Sequence, residues 1–154
     1  MLLLLSLGTA FAQSYPADVD HYINDYANLL NDTEEDSLRA TLDELYQETD
    51  IEFTVLTIPR MSQYGHDGSI ETFATGLFNT WGIGDADRND GLLLLVSRFD
   101  RELRIEVGAG YGDQLNGAMQ YVIDKKIVPH FRVDDYPAGI EAGVTEIIYE
   151  VTGR

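Results

Sequence analysis

Oxygen-bearing side chains recur at near-alternate positions through Asp85-Ala86-Asp87-Arg88-Asn89-Asp90-Gly91. Such a run suits a hard divalent cation, because carboxylate and amide oxygens of a short loop can close on one point. It is not an EF-hand: the glycine arrives one residue late, and Val96 occupies the twelfth position, where a bidentate Glu belongs. A solvated turn would use the same residues, with Asp and Asn bonding the backbone and Gly taking positive φ. A second segment, Gly108-Ala109-Gly110-Tyr111-Gly112-Asp113, has the outline of a dinucleotide fingerprint. Asp113 stands where the third glycine belongs, and an acid there would repel a pyrophosphate. If the strands between these segments form an antiparallel hairpin, the acidic loop lies beside the glycine loop and Asp113. Carboxylates held together repel one another, and a cation relieves that cost. The candidate ligands read this way are Asp85, Asp87, Asn89, Asp90 and Asp113.

Other chemistries are absent from the sequence. The chain has no cysteine, no G-x-S-x-G elbow and no P-loop, and its three histidines, His21, His66 and His130, lack zinc spacing. Arg104 suits either an anion such as phosphate or a salt bridge to a neighbouring carboxylate, and the second is the simpler expectation.

The elements that must position these residues begin after an apolar run from Met1 to Phe11. That run is too short to span a bilayer and ends in the A-x-A pattern Ala10-Phe11-Ala12, so residues 1–12 read as a secretory signal peptide and 13–154 as one domain. No later stretch is long and apolar enough for a membrane span. The formal net charge of -17 argues against nucleic acid and anionic lipid as partners and is compatible with cations or basic protein surfaces. Export without cysteine leaves the fold to its apolar core.

Asp32 and Glu35 have capping-box spacing, and Leu38, Leu42, Leu45 and Tyr46 follow at helical intervals. Ile51 to Ile58 reads as a strand closed by Pro59. Ser69 should cap a helix carrying Ile70, Phe73, Ala74, Leu77, Phe78 and Trp81, with Gly82 ending it. Leu92 to Val96 reads as a strand buried on both faces, and Leu103 to Val107 alternates as a half-exposed partner. Met119, Val122, Ile123 and Ile127 mark a third helix before Pro129, and a fourth begins near Asp135 and Pro137. This order is that of an α/β layered domain, with the first two strands parallel through the Ser69 helix.

Five segments carry a family resemblance: Ile23-Asn24-Asp25-Tyr26-Ala27-Asn28-Leu29-Leu30, Trp81-Gly82-Ile83-Gly84, Asn89-Asp90-Gly91-Leu92-Leu93-Leu94-Leu95-Val96, Arg104-Ile105-Glu106-Val107-Gly108-Ala109-Gly110, and Pro129-His130-Phe131 with Asp135-Tyr136-Pro137-Ala138-Gly139-Ile140. Their order and spacing resemble the TPM domain across residues 15–154. The resemblance implies a three-layer α/β/α sandwich with a Rossmann-like mixed sheet and a C-terminal antiparallel hairpin. It also implies a periplasmic, extracellular or thylakoid-lumen setting. Calcium or magnesium binding and acid phosphatase activity are attributed to some members, and others act as membrane-protein accessories. By resemblance Asp25, Asn89 and Gly91 fall on recurrent positions, which adds Asp25 to the candidate metal ligands. Gly117 departs from the family, which often has an acid there.

The expected function is therefore an exported module that binds a divalent cation and contacts another envelope or membrane protein. A metal-assisted phosphatase acting on phosphomonoesters is the alternative, with Asp87, Asp90 and Asp113 as candidate acids or nucleophiles.

Overall fold

A computed structural model describes residues 14–154 of the chain. The signal peptide expected over residues 1–12 lies outside the described residues. Four strands form one mixed sheet in chain order: β1 (Ile23–Asp25), β2 (Phe53–Ile58), β3 (Leu92–Ser97) and β4 (Glu102–Val107). β1, β2 and β3 are parallel, and β4 returns antiparallel with Leu92 opposite Val107. Every residue of β2 and β3 is buried, which is why both read as continuous rather than alternating apolar runs.

Successive residues of these strands point to opposite faces, and each face has its own apolar cluster. Val55, Leu94, Val96 and Ile105 pack with Leu38, Leu42 and Leu45 of α1 (Asp32–Thr49) and with Ile140, Val144 and Ile147 of α5 (Tyr136–Thr152). Leu56, Ile58, Leu93 and Leu95 pack with Phe73, Ala74 and Leu77 of α2 (Ile70–Trp81). Ser69 caps α2 as its spacing predicts, and Gly82 closes it at φ 68° with its N–H on the Phe78 carbonyl.

Three details differ from the sequence reading. β1 was not anticipated; it is only three residues long and is held in place by Val55 N–H donating to the Tyr22 carbonyl. The capping box at α1 uses Asn31 and Glu34, one residue earlier than Asp32 and Glu35. The third helix is three joined pieces: α3 (Asn116–Tyr121), a π-helical stretch (Val122–Ile127) and α4 (Val128–Phe131). Pro129 has no N–H to offer the preceding turn, and the widened turns lie immediately before it. Val122 and Ile127, five positions apart, are thereby both buried.

β4 forms one edge of the sheet. Its Glu102, Arg104 and Glu106 alternate with Leu103, Ile105 and Val107. Arg104 bonds Glu106 at 3.0 Å, so the simpler expectation for it holds, although the partner is on its own strand.

Candidate functional site

The hairpin brings the two singled-out loops together at the amino end of β3. Gly108 N–H donates to the Gly91 carbonyl, Gly110 N–H donates to the Asn89 carbonyl, and the Tyr111 hydroxyl donates to the Asp90 carbonyl. Burial, and then the Asp90 charge, push the Tyr111 phenol up to about 12. The glycines are required by this contact. A Cβ on Gly108 would fall inside the Asn89 carbonyl, one on Gly110 inside the Arg88 carbonyl, and one on Gly91 inside the Ile83 carbonyl. Asn89 itself sits at φ 51°, a conformation Asn adopts more readily than most residues. Asn89 and Gly91 therefore have a structural role in joining the loops.

The acidic side chains of the loop are partly committed within it. Asp85 Oδ1 accepts from the N–H groups of Asp87 and Arg88, which hold its carboxyl below the usual value. Arg88 Nε lies 2.7 Å from Asp90, its Nη1 lies 3.7 Å from Asp85, and its Nη2 donates to the Asp50 carbonyl. Asp113 accepts from Asn116 at 3.1 Å. Asp87 has neither a side-chain hydrogen bond nor an ion pair among the described residues.

Beside the loop opens a cavity of about 510 Å³ lined by Asp50, Glu52, Asp85, Gly84, Tyr46 and Arg88. Sequence reasoning missed Asp50 and Glu52. Asp50 is the left-handed cap of α1 and Glu52 precedes β2, so only the sheet order brings them to Asp85. Glu52 receives the Gly84 N–H and lies 3.6 Å from His21.

Asp25 stands elsewhere. It pairs with Thr57, and Thr57 with Val96, at the carboxyl end of the parallel strands. Four residues along β3 separate that row from Leu92, about 13 Å. Its carboxylate accepts from the Leu29 and Leu30 N–H groups and from the Thr57 hydroxyl. These bonds shape the turn that delivers the chain to α1. Burial, and then the Asp25 charge, raise the Glu35 carboxyl; the sequence offered only a capping role for that residue. Among the described residues, no three His, Asp or Glu side chains are gathered closely enough to hold a metal ion.

Asp20 organises the segment before β1. Burial pushes its carboxyl up, but the N–H groups of Ile23 and Tyr22 and the Arg39 guanidinium outweigh this and hold it below its ordinary value of 3.8. A carboxyl lowered by folding contributes stability above its unfolded value and loses it as pH falls through the folded one. Urea unfolding followed from pH 5 toward pH 2 should therefore show a stability loss that Asp20→Asn reduces. An unchanged pH dependence in that variant would contradict the Asp20 assignment.

The TPM domain family model matches residues 23–150. An NMR structure of the N-terminal domain of a P. gingivalis protein is 29% identical with a TM-score of 0.77, covering 89% of this chain and 85% of that one. An NMR structure of the N-terminal domain of a Corynebacterium glutamicum protein is 14% identical with a TM-score of 0.64, covering 89% and 83%. The BA42 protein of Bizionia argentinensis is 15% identical with a TM-score of 0.67, covering 80% and 82%. These last two are similar in fold. No curated protein matches the chain.

Proposed function

The chain belongs to the TPM domain family, and on that premise we propose that it is an exported accessory module of the cell envelope. In this reading it takes calcium or magnesium on its acidic edge and contacts another envelope or membrane protein. The apolar leader in the sequence supports export. The carboxylate-lined cavity beside the acidic loop carries the cation reading, because Asp50 and Asp85 face it while Arg88 is its one guanidinium.

The residues fit one kind of cation binding and not another. A closed cage of six to eight oxygens would need several convergent carboxylates, and no such group is assembled among the described residues. A hydrated ion needs only one or two carboxylates and keeps its remaining waters. Asp85 and Asp50 would hold it, with Asp87 free to turn inward. The six residues expected from the sequence do not make one site: Asp25 is at the far end of β1, and Asp90 is occupied by Arg88. That ion pair of Asp90, one of the candidate acids or nucleophiles, supports the binding reading over a metal-assisted phosphatase.

Thermal melts in magnesium or calcium test the proposal. A ligand at ten times its Kd adds about 1.4 kcal/mol, worth about 3–6 °C for a chain of this size. Asp50→Asn with Asp85→Asn should abolish the rise. Arg88→Gln should strengthen cation binding, because it removes a competing positive charge from the cavity lining. If neither cation raises the melting temperature more than sodium chloride of equal ionic strength, the reading fails.

A further inference from the structure

Of ten Lys and Arg residues against 27 acids, Arg39, Arg60, Arg88, Arg104, Lys126 and Arg154 form ion pairs. Arg98, Arg101, Arg132 and Lys125 form none among the described residues. Three of those four, all arginines, line a single cavity of about 310 Å³ at the carboxyl end of β3. In so acidic a chain, three guanidinium groups sharing one cavity with no ion pair among the described residues constitute a distinct electrostatic feature.

The cavity is held open by specific contacts. Arg98 and Arg101 belong to the turn joining β3 to β4. This turn is anchored by Asp100, whose carboxylate accepts from the Ser97 hydroxyl and the Met61 N–H. Arg98 lies over the Phe99 ring at 5.0 Å and near the Tyr136 ring at 5.8 Å. Stacking occupies the face of a guanidinium and leaves the N–H donors at its edge available. Arg132 ends α4, on the opposite wall. Leu103, Phe131 and Tyr136 supply apolar lining, and the last two form a ring pair 4.8 Å apart. Phe99 and Val133, the neighbours of Arg98 and Arg132, are 53% and 73% exposed.

Glu102 and Asp134 also line this cavity, and neither forms an ion pair among the described residues. Three guanidinium groups against two carboxylates leave a formal excess of one positive charge, which a monoanion cancels and a dianion overshoots. We propose that this cavity binds a monocarboxylate carried on an apolar body, either a small free acid or the C-terminal residue of a peptide. The carboxylate meets the arginine edges bidentately, and the apolar body lies on Phe131, Tyr136 and Leu103. The volume is at the small end for ligand pockets, room for about one aromatic side chain. This site lies at the opposite end of β3 from the acidic cavity and does not depend on the cation reading.

Amide NMR titrations of the protein with phenylacetate, a short peptide ending in phenylalanine, its C-terminal amide and phenyl phosphate test the assignment. Phenylacetate and the free-acid peptide should shift Leu103, Phe131 and Arg132, and the amidated peptide should not. Arg98→Gln and Arg132→Gln should each weaken binding at least tenfold. Arg101 sits at φ 56°, so Arg101→Gly relieves a strained conformation. It should raise the melting temperature while weakening carboxylate binding, a combination that a purely structural role for Arg101 would not produce. Tighter binding of the peptide than of phenylacetate identifies a protein terminus as the source; the reverse identifies a free acid. Equal binding of the amidated peptide, a preference for phenyl phosphate, or no shift at about 10 mM ligand would overturn the proposal.

Discussion

Gly108→Ala should destabilise the protein by about 3 kcal/mol, the upper end of what overpacking usually costs. The added carbon would fall inside the Asn89 carbonyl, with Asp90 N next nearest. Neither atom belongs to a flexible side chain that could turn aside. Relief requires the acidic loop to move away from β4, which breaks the Gly108 bond to Gly91 and the Gly110 bond to Asn89. Because these bonds continue the β3–β4 ladder, the damage should spread to Leu92 and Val107. For a chain of this size such a loss lowers the melting temperature by about 6–12 °C. Gly117→Ala is the matched control. Nothing lies within 4 Å of a Cβ there, and the residue is in α3, so alanine should stabilise by about 0.5–1 kcal/mol. Equal effects at the two positions, measured by urea unfolding, would show that the loop contact does not constrain the fold.

Asp25→Ala should cost about 2–4 kcal/mol. The carboxylate receives the Leu29 and Leu30 N–H groups and the Thr57 hydroxyl, and its removal strands donors in a partly buried turn. Each buried donor left unsatisfied costs about 1–3 kcal/mol. Ala27, Leu29 and Leu30 are buried between this turn and α1, so water cannot readily replace the lost acceptor. Asp25→Asn keeps one side-chain oxygen and should lose less than half as much. If Asp25 serves the turn, both losses will be the same with and without calcium or magnesium. A loss that appears only when cation is present would instead return Asp25 to the ligand set.

Periodicity carried much of the fold. Leu38, Leu42 and Leu45 marked the buried face of α1, and the pure apolar run at Leu92 announced a central strand. Turn chemistry between Phe99 and Glu102 then set the hairpin, which correctly joined the acidic and glycine loops. β1 escaped because three residues cannot display an alternation, and Asn24 in its middle is a buried polar residue, its Oδ1 accepting from the Val19 and Asp20 N–H groups and its Nδ2 donating to the Asp20 carbonyl. The π-helical turns escaped because the pattern from Met119 to Ile127 fits a regular helix about as well. At the site, spacing within one loop was legible, whereas Asp50, Glu52 and the cavity lined by Arg98 and Arg132 depend on how the elements pack. Asp25 shows the complementary failure. A recurrent acid suggests a ligand, yet here backbone N–H groups claim its oxygens.

The borders of the sheet govern how copies of this protein meet. A sheet ends safely only if neither outer strand can accept another chain. β1 is too short to template a partner and gives way at once to a turn with Asn28 at φ 51°. β4 carries Glu102, Arg104 and Glu106, so a second β4 laid alongside in register would bring like charges together. Concentrated protein should therefore resist strand-to-strand assembly. Substituting Glu102 and Glu106 with threonine would remove that protection and leave the apolar core intact.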